Sequence, residues 1–158
     1  MAGALQIRLA AKATDDIRDL IGELNDELEM CYAPEQRHGL ALDAIFQPHI
    51  RFFIAQLDGV AAGCGGVAIF EDFAEIKRMF VRPALRGRGI ADAIMAALIA
   101  ETAKAGLPLL RLETGIHQHA ALVFYRRSGF GDCAAFPPYS GMSSAAIHTS
   151  VFMERRLA

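Results

Sequence analysis

Residues 81–95 read VRPALRGRGIADAIM: an apolar strand end, a proline, two glycines set among arginines, and then a helical pattern. Ile90, Ile94 and Leu98 recur on one stripe with Ala91, Met95 and Ile99 beside it. This predicts a helix from Ile90 to Ala105, stopped by Gly106 and Pro108. The chain therefore passes from strand to helix through a Gly/Arg turn. A helix start presents free N–H groups and the positive end of the helix dipole, which favour a phosphate. Gly87 and Gly89 carry no Cβ to hold a ligand off and can adopt positive φ, and Arg86 and Arg88 can add charge-assisted contacts. The turn is either an exposed basic loop or a cradle for a pyrophosphate. It lacks the Gly-Lys-Ser/Thr ending of a P-loop, and it is not a GxGxxG following a first strand, which sets a dinucleotide fold aside.

Upstream, AEIKRMFV (74–81) is a strand, and IRFFIAQLDGVAAGCGGVAIF (50–70) reads as two strands joined in a hairpin at Asp58-Gly59. LQIRLA (5–10) alternates like a strand. Thr14 and Asp15 can cap a helix carrying Ile17, Leu20, Ile21, Leu24 and Leu28 at helical spacing. Pro34 ends it, and a short second helix, Leu40 to Phe46, stops before Pro48. Downstream, LLRLET (109–114) is a strand and Ala120 to Ser128 a helix closed by Gly129. FGDCAA and TSVFMERRL then form a strand pair around a Pro/Ser/Gly loop. The order β-α-α-β-β-β-α-β-α-β-β predicts an α/β (α+β) fold. It has a mixed, mostly antiparallel central sheet of six to seven strands, helices on both faces, and one parallel pair, 75–81 beside 109–114.

A chain of 158 residues suits one domain, 1–158. With 53% hydrophobic and 22% charged residues it is globular, and a net charge of −2 offers no general field for nucleic acid. Cys31, Cys64 and Cys133 are far apart and form no CxxC, which argues against a disulfide framework or a metal site and for a reducing compartment. MAGALQIRLAAK has no basic start and is interrupted by Gln6, Arg8 and Lys12, unlike a signal peptide. Ala134 to Met153 carries no formal charge but is too rich in Pro, Ser and Gly to span a bilayer. A cytoplasmic protein with no nucleic-acid or membrane partner is expected.

Arg86, Gly89 and Ala91 match Q/R-x-x-G-x-G/A, and the stretch resembles the acyl-CoA-binding signature of the GNAT N-acetyltransferase superfamily. HAALVFYRRSGF (119–130) resembles that superfamily's second block, a helix with a tyrosine followed by a Gly-Phe turn. The resemblance covers nearly the whole chain. It implies the acyl-CoA N-acyltransferase fold, with strands 75–81 and 109–114 splayed into a V-shaped slot. Acetyl-CoA is the implied cofactor. Backbone groups of Met79, Phe80 and Val81 would hold its pantetheine arm, and Arg86, Gly87, Arg88, Gly89, Ile90 and Ala91 its pyrophosphate. Gln118, where many relatives have asparagine, and Phe124 and Tyr125 would also contact it.

The implied reaction is acetyl transfer to a small-molecule amine by direct attack, with Tyr125 protonating the departing thiolate. Glu75 stands where several relatives carry a glutamate base. Lys77, two residues on and on the same strand face, can instead pair with it and lower its pKa, so base and ion pair both stay open. The acceptor side is expected from the first two helices, the start of strand 75–81 with Glu75, and loop 134–148, where Tyr139 is a candidate contact. His117 and His119 read as solvated loop residues, and neither Cys64 nor Cys133 has an activating partner in sequence. Family habit leaves a homodimer open. The alternative on the same fold is a non-catalytic acyl-CoA-binding or regulatory module; a nucleic-acid module built on the RGRG turn is opposed by the acidic balance.

Overall fold

Thr14 opens the first helix by accepting a hydrogen bond from the N–H of Ile17, and Asp15 and Asp16 complement the dipole of its first turn. The computed structural model describes residues 3–157, so Met1, Ala2 and Ala158, inside the expected domain span, lie outside the described residues. The elements are β1 (Leu5–Leu9), α1 (Asp15–Glu29), β2 (Ile50–Leu57), β3 (Val60–Ile69), β4 (Ala74–Val81), α2 (Ile90–Lys104), β5 (Leu109–Gly115), α3 (His119–Arg127), β6 (Gly131–Asp132), α4 (Ser144–Ile147) and β7 (Ser150–Arg156). They build a seven-stranded sheet in the order β1-β2-β3-β4-β5-β7-β6.

Each face of the sheet buries its own cluster. On one, Ile17, Leu20, Ile21 and Leu24 of α1 pack on Phe52, Ile54, Cys64 and Phe80. On the other, Ile90, Ile94 and Leu98 of α2 and Leu122 and Tyr125 of α3 meet Phe53, Val67, Ile76, Leu110 and Met153. Strand alternation explains the division, since neighbours such as Phe52 and Phe53 point to opposite faces. The β2–β3 hairpin turns at Asp58 (φ 52) and Gly59 (φ 80), the double positive φ of a two-residue loop that matches strand twist.

The expected parallel pair exists, but it is very short: β4 and β5 share only Ala74↔Leu110 and Glu75↔Arg111. Two features pull the strands apart. In β3–β4, Cys64 faces Phe80 while Gly66 faces Lys77, so Arg78 and Met79 together oppose Gly65. This bulge bends the end of β4, and Arg78 takes φ 55 to make it. Gly65 suits the close approach there, because a Cβ would come within 2.8 Å of Met79 Sδ and 2.9 Å of Ile94 Cγ2, and those side chains would have to shift. Meanwhile β5 pairs along its full length with β7, from Leu109↔Arg156 to Gly115↔Ser150, and follows that strand.

Three expectations are corrected. The helix expected at 40–46 is a 3-10 turn, Leu42–Phe46, that buries Ile45 alone. The strand expected over FGDCAA shrinks to Gly131–Asp132, because Phe136 and Tyr139 leave the sheet edge to pack with Phe152. Within the loop after it, Ser143 caps the unexpected short helix α4 by accepting from the N–H of Ala146.

Candidate functional site

Where β4 and β5 separate, a cleft of about 820 Å³ opens and runs from the 86–91 turn, past the start of α3, to the segment after α1. Its walls at one end include Met79, Phe80, Val81, Gly87, Gly89 and Ala91; at the other they include Tyr32, His38, Lys77, Glu113 and Tyr139.

The turn has the shape its glycines suggest. Gly87 and Gly89 both adopt φ +79, Gly89 as the left-handed N-cap of α2. A Cβ at either would meet nothing within 4 Å, so glycine is set by the backbone conformation and the surface above it is open. The first backbone bond of α2 runs from Ala93 N–H to Gly89 C=O, which leaves the N–H groups of Ile90, Ala91 and Asp92 free of helical partners. The arginines are placed differently from the simple expectation. Arg86 turns back, donating from Nε to the Val81 carbonyl (2.9 Å) and pairing through Nη2 with Glu27 (3.3 Å). Arg88 is exposed and is not part of the cleft wall. Arg127, unnoticed in sequence, is in that wall, 3.4 Å from Asp92 and stacked over Phe124.

Met79, Phe80 and Val81 lie in the part of β4, Ile76 to Val81, that β5 leaves uncovered, and all three line the cleft. Across it, α3 brings Phe124 and Tyr125 into the wall. Tyr125 is 6% exposed, and burial, aided by the Glu113 carboxylate, pushes its hydroxyl well above the ordinary tyrosine range. Gln118 precedes α3, and its Oε1 accepts from the Tyr32 hydroxyl (3.3 Å), which in turn accepts from the His117 N–H (2.9 Å). His117 and His119 are exposed in the cleft wall. Tyr32 was not legible as a site residue, since its partners are 85 and 86 positions away. Gly115 makes room for it, because a Cβ there would overlap the Tyr32 hydroxyl.

Glu75 is 1% exposed and tied down. Its Oε2 lies 2.9 Å from Lys77 Nζ and accepts from the Tyr139 hydroxyl at 2.6 Å, while Lys77 also donates to that hydroxyl at 2.9 Å. Of the two readings open in sequence, the geometry is that of the ion pair. Tyr139 is itself buried, and burial with the neighbouring Glu75 charge pushes its hydroxyl far above the usual range. Loop 134–148 thus sends a buried residue to the Lys77 end of the cleft.

Glu113 is the acid that sequence reasoning missed. The alternation in LLRLET turns Leu110 and Leu112 into the α2 cluster, which puts Arg111 and Glu113 on the opposite face. Glu113 accepts from Ser150 Oγ at 2.7 Å, and among the described residues no cation lies within ion-pair distance of it. Burial raises its carboxyl pKa, opposed by the Ser150 hydrogen bond and the charges of His38 and Lys77. Burial likewise pushes the Cys64 thiol up to about 12, which makes it a poor nucleophile. Among the described residues, no group of three His, Cys, Asp or Glu is placed to hold a metal ion, and no helix is long and apolar enough to cross a membrane.

The model of the acetyltransferase (GNAT) family matches residues 17–130. The IAA acetyltransferase of Azospirillum brasilense is 38% identical over 145 residues, covering 90% of this chain and 92% of that protein. The crystal structure of a Klebsiella pneumoniae protein assigned as an acyl-CoA N-acyltransferase matches at 31% identity and TM-score 0.78, covering 98% of each chain. The PaiA N-acetyltransferase of Thermoplasma acidophilum, solved in complex with coenzyme A, has the same fold at 16% identity and TM-score 0.70, covering 98% of this chain and 99% of that one.

The buried ion pair generates a stability prediction. Lys77→Met leaves Glu75 buried without its cation and is expected to cost about 3–5 kcal/mol in chemical denaturation. Adding Glu75→Gln to that variant removes the orphaned charge and should recover part of the loss.

Proposed function

This chain belongs to the acetyltransferase (GNAT) family, and from that premise we propose an acetyl-CoA-dependent N-acetyltransferase acting on the amine of a small-molecule acceptor by direct attack. The observation that carries this reading is the continuity of one cleft. It begins at two left-handed glycines and the free N–H groups of a helix start, follows an uncovered strand edge, and ends between Tyr125 and Glu113. The fit to the coenzyme is chemical as well as spatial. The open space above Gly87 and Gly89 admits a pyrophosphate against backbone donors, and the free edge of β4 offers Met79, Phe80 and Val81 to an amide-bearing arm as an added strand. In this placement the helix start supplies backbone donors, and Arg86, in the cleft wall, also braces the end of β4 against α1 through Glu27. Bound acetyl-CoA supplies the acetyl thioester.

The roles of the chain's own groups follow from their environments. A backbone N–H at Met79 or Phe80 is available to steady negative charge on the carbonyl oxygen. Tyr125, kept protonated by burial, holds a proton at its hydroxyl for the leaving sulfur. Glu113, whose carboxyl is raised rather than lowered, removes a proton from the acceptor ammonium. Glu75 is neutralised by Lys77 and hydrogen-bonded to Tyr139, so its role here is to fix the floor of the acceptor end. Gln118 and Tyr32 hold the entry to α3, and with it the position of Phe124 and Tyr125.

Three measurements test this function. Acetyl-CoA should raise the melting temperature saturably, and a still-folded Gly87→Val/Gly89→Val variant should lose that rise, since β-branched residues do not tolerate positive φ. An unshifted wild type removes the coenzyme reading. Tyr125→Phe should lower kcat by about 100-fold or more, with the acetyl-CoA Kd changed by less than about threefold; equal kcat would remove the acid role. For Glu113 the active form is the carboxylate and its pKa is raised, so activity is lost as pH falls through that raised value. kcat/KM should therefore decline at a higher pH than an ordinary glutamate would give, and Glu113→Gln should abolish that limb.

A further inference from the structure

The acceptor end of the cleft contains a second unmatched charge, of sign opposite to Glu113. Arg78 is 8% exposed at the β4 bulge and lines the cleft beside Arg37, His38 and Gly39. Its Nη2 donates to the Asn25 side-chain oxygen, its Nε is buried with no partner, and among the described residues no carboxylate lies within ion-pair distance. Gly39 gives it space, because a Cβ there would overlap Nη1. The neighbouring cations differ. Lys77 is matched by Glu75, and Arg37 pairs with Glu29 at 3.2 Å while its own Nε is buried without a partner. A guanidinium removed from water without a counter-anion is unfavourable, and an anion delivered from outside relieves that cost. Its planar fork matches a carboxylate.

We propose that the acceptor is an amino acid, with its carboxylate held by the Arg78 guanidinium and its ammonium directed to Glu113. This rests on the reading of the cleft as an amine acceptor site, and it narrows that class to molecules carrying both charges. A half-buried carboxylate, Glu113, and a buried guanidinium, Arg78, line the same cleft, and among the described residues neither has an opposite charge within ion-pair distance. A zwitterion satisfies both at once. A plain amine leaves Arg78 unmatched, and so does a peptide N-terminus, whose adjacent carbonyl is an amide.

The test uses matched triplets: an amino acid, its amide, and the decarboxylated amine, spanning acidic, basic, aromatic and aliphatic side chains. Binding to the coenzyme A-saturated protein is measured by calorimetry and acetyl transfer by thiol release. The expected result is that, for at least one side-chain class, the acid is preferred over amide and amine by about 100-fold. Arg78→Met should reduce that ratio below about fivefold, and Arg78→Lys should retain part of it, because charge survives without the fork. Glu113→Gln should weaken acid, amide and amine alike and leave the ratio near its wild-type value. Equal or better binding of amide or amine throughout overturns the proposal, as does the absence of any bound amino acid at millimolar concentration. Should Arg78→Met fail to fold, the wild-type ratio and Arg78→Lys still decide. Failure of the broader function is distinct, since it appears as a lost thermal shift with acetyl-CoA, with no acceptor present.

Discussion

The site depends on a parallel strand pair that stops after two registers. β4 and β5 hold together at Ala74↔Leu110 and Glu75↔Arg111, and apart from Glu75 every residue of the cleft on those strands lies beyond that point. Separation of adjacent strands is costly when it leaves buried N–H and C=O groups unpaired, so a fold keeps it only where something else can supply the partners. On one side β7 compensates β5 fully, along its whole length. On the other the bulge at Arg78 and Met79 bends β4 while β3 still pairs it from Phe80 to Val81. The uncovered edge of β4 is therefore built into the pairing of the sheet, and the proposed coenzyme placement uses it.

The apex of the opening is the place where water would do the most damage to the pairing, and it is there that the buried polar triad sits. Glu75 is the last residue of β4 paired with β5, and Lys77 is the next on its face. Tyr139 closes over both and packs with Phe136 and Phe152, which seals the apex with aromatic surface. A buried ion pair adds little net stability compared with apolar packing. What it adds here is a link, since it joins β4 to loop 134–148 through the hydrogen bonds of Tyr139 to Glu75 and Lys77.

The parts legible in the sequence were those set by local rules. The Asp58-Gly59 hairpin, the stripe of α2 and the Thr14 cap each depend on neighbours within a few residues, and each is found where expected. Gly87 and Gly89 were readable for the same reason, because left-handed backbone calls for glycine locally. Segments 40–46 and 130–135 were misjudged because their form is decided at a distance: one side chain, Ile45, fills the α1 cluster, and Phe136 leaves the sheet to meet Phe152. The site divides along the same line. Tyr125 stood out from its motif, whereas Glu113, Tyr32 and Arg78 are ordinary residues whose proposed roles come from burial and from partners far along the chain. Arg86 reads in sequence as a ligand for an anion; in the fold it lines the cleft and also pairs with Glu27, which packing of α1 on β4 brings to it.

Burial in this cleft acts in one direction on two groups, and the proposed reaction gives them opposite uses. Removing water disfavours the charged form of any acid, so both the Tyr125 hydroxyl and the Glu113 carboxyl are shifted upward. A tyrosine already protonated at neutral pH becomes still more secure as a proton holder. A carboxylate starting far below neutrality moves toward it and becomes a stronger proton acceptor, while the Ser150 hydrogen bond and the charges of Lys77 and His38 keep the shift within limits. Glu113 also raises Tyr125 further, so loss of its charge would make the tyrosine easier to ionise. The two roles are thus coupled through the dryness of a single cleft. A change that admits water, such as opening the Tyr32 contact at the start of α3, would weaken the proposed acid and base together although it touches neither.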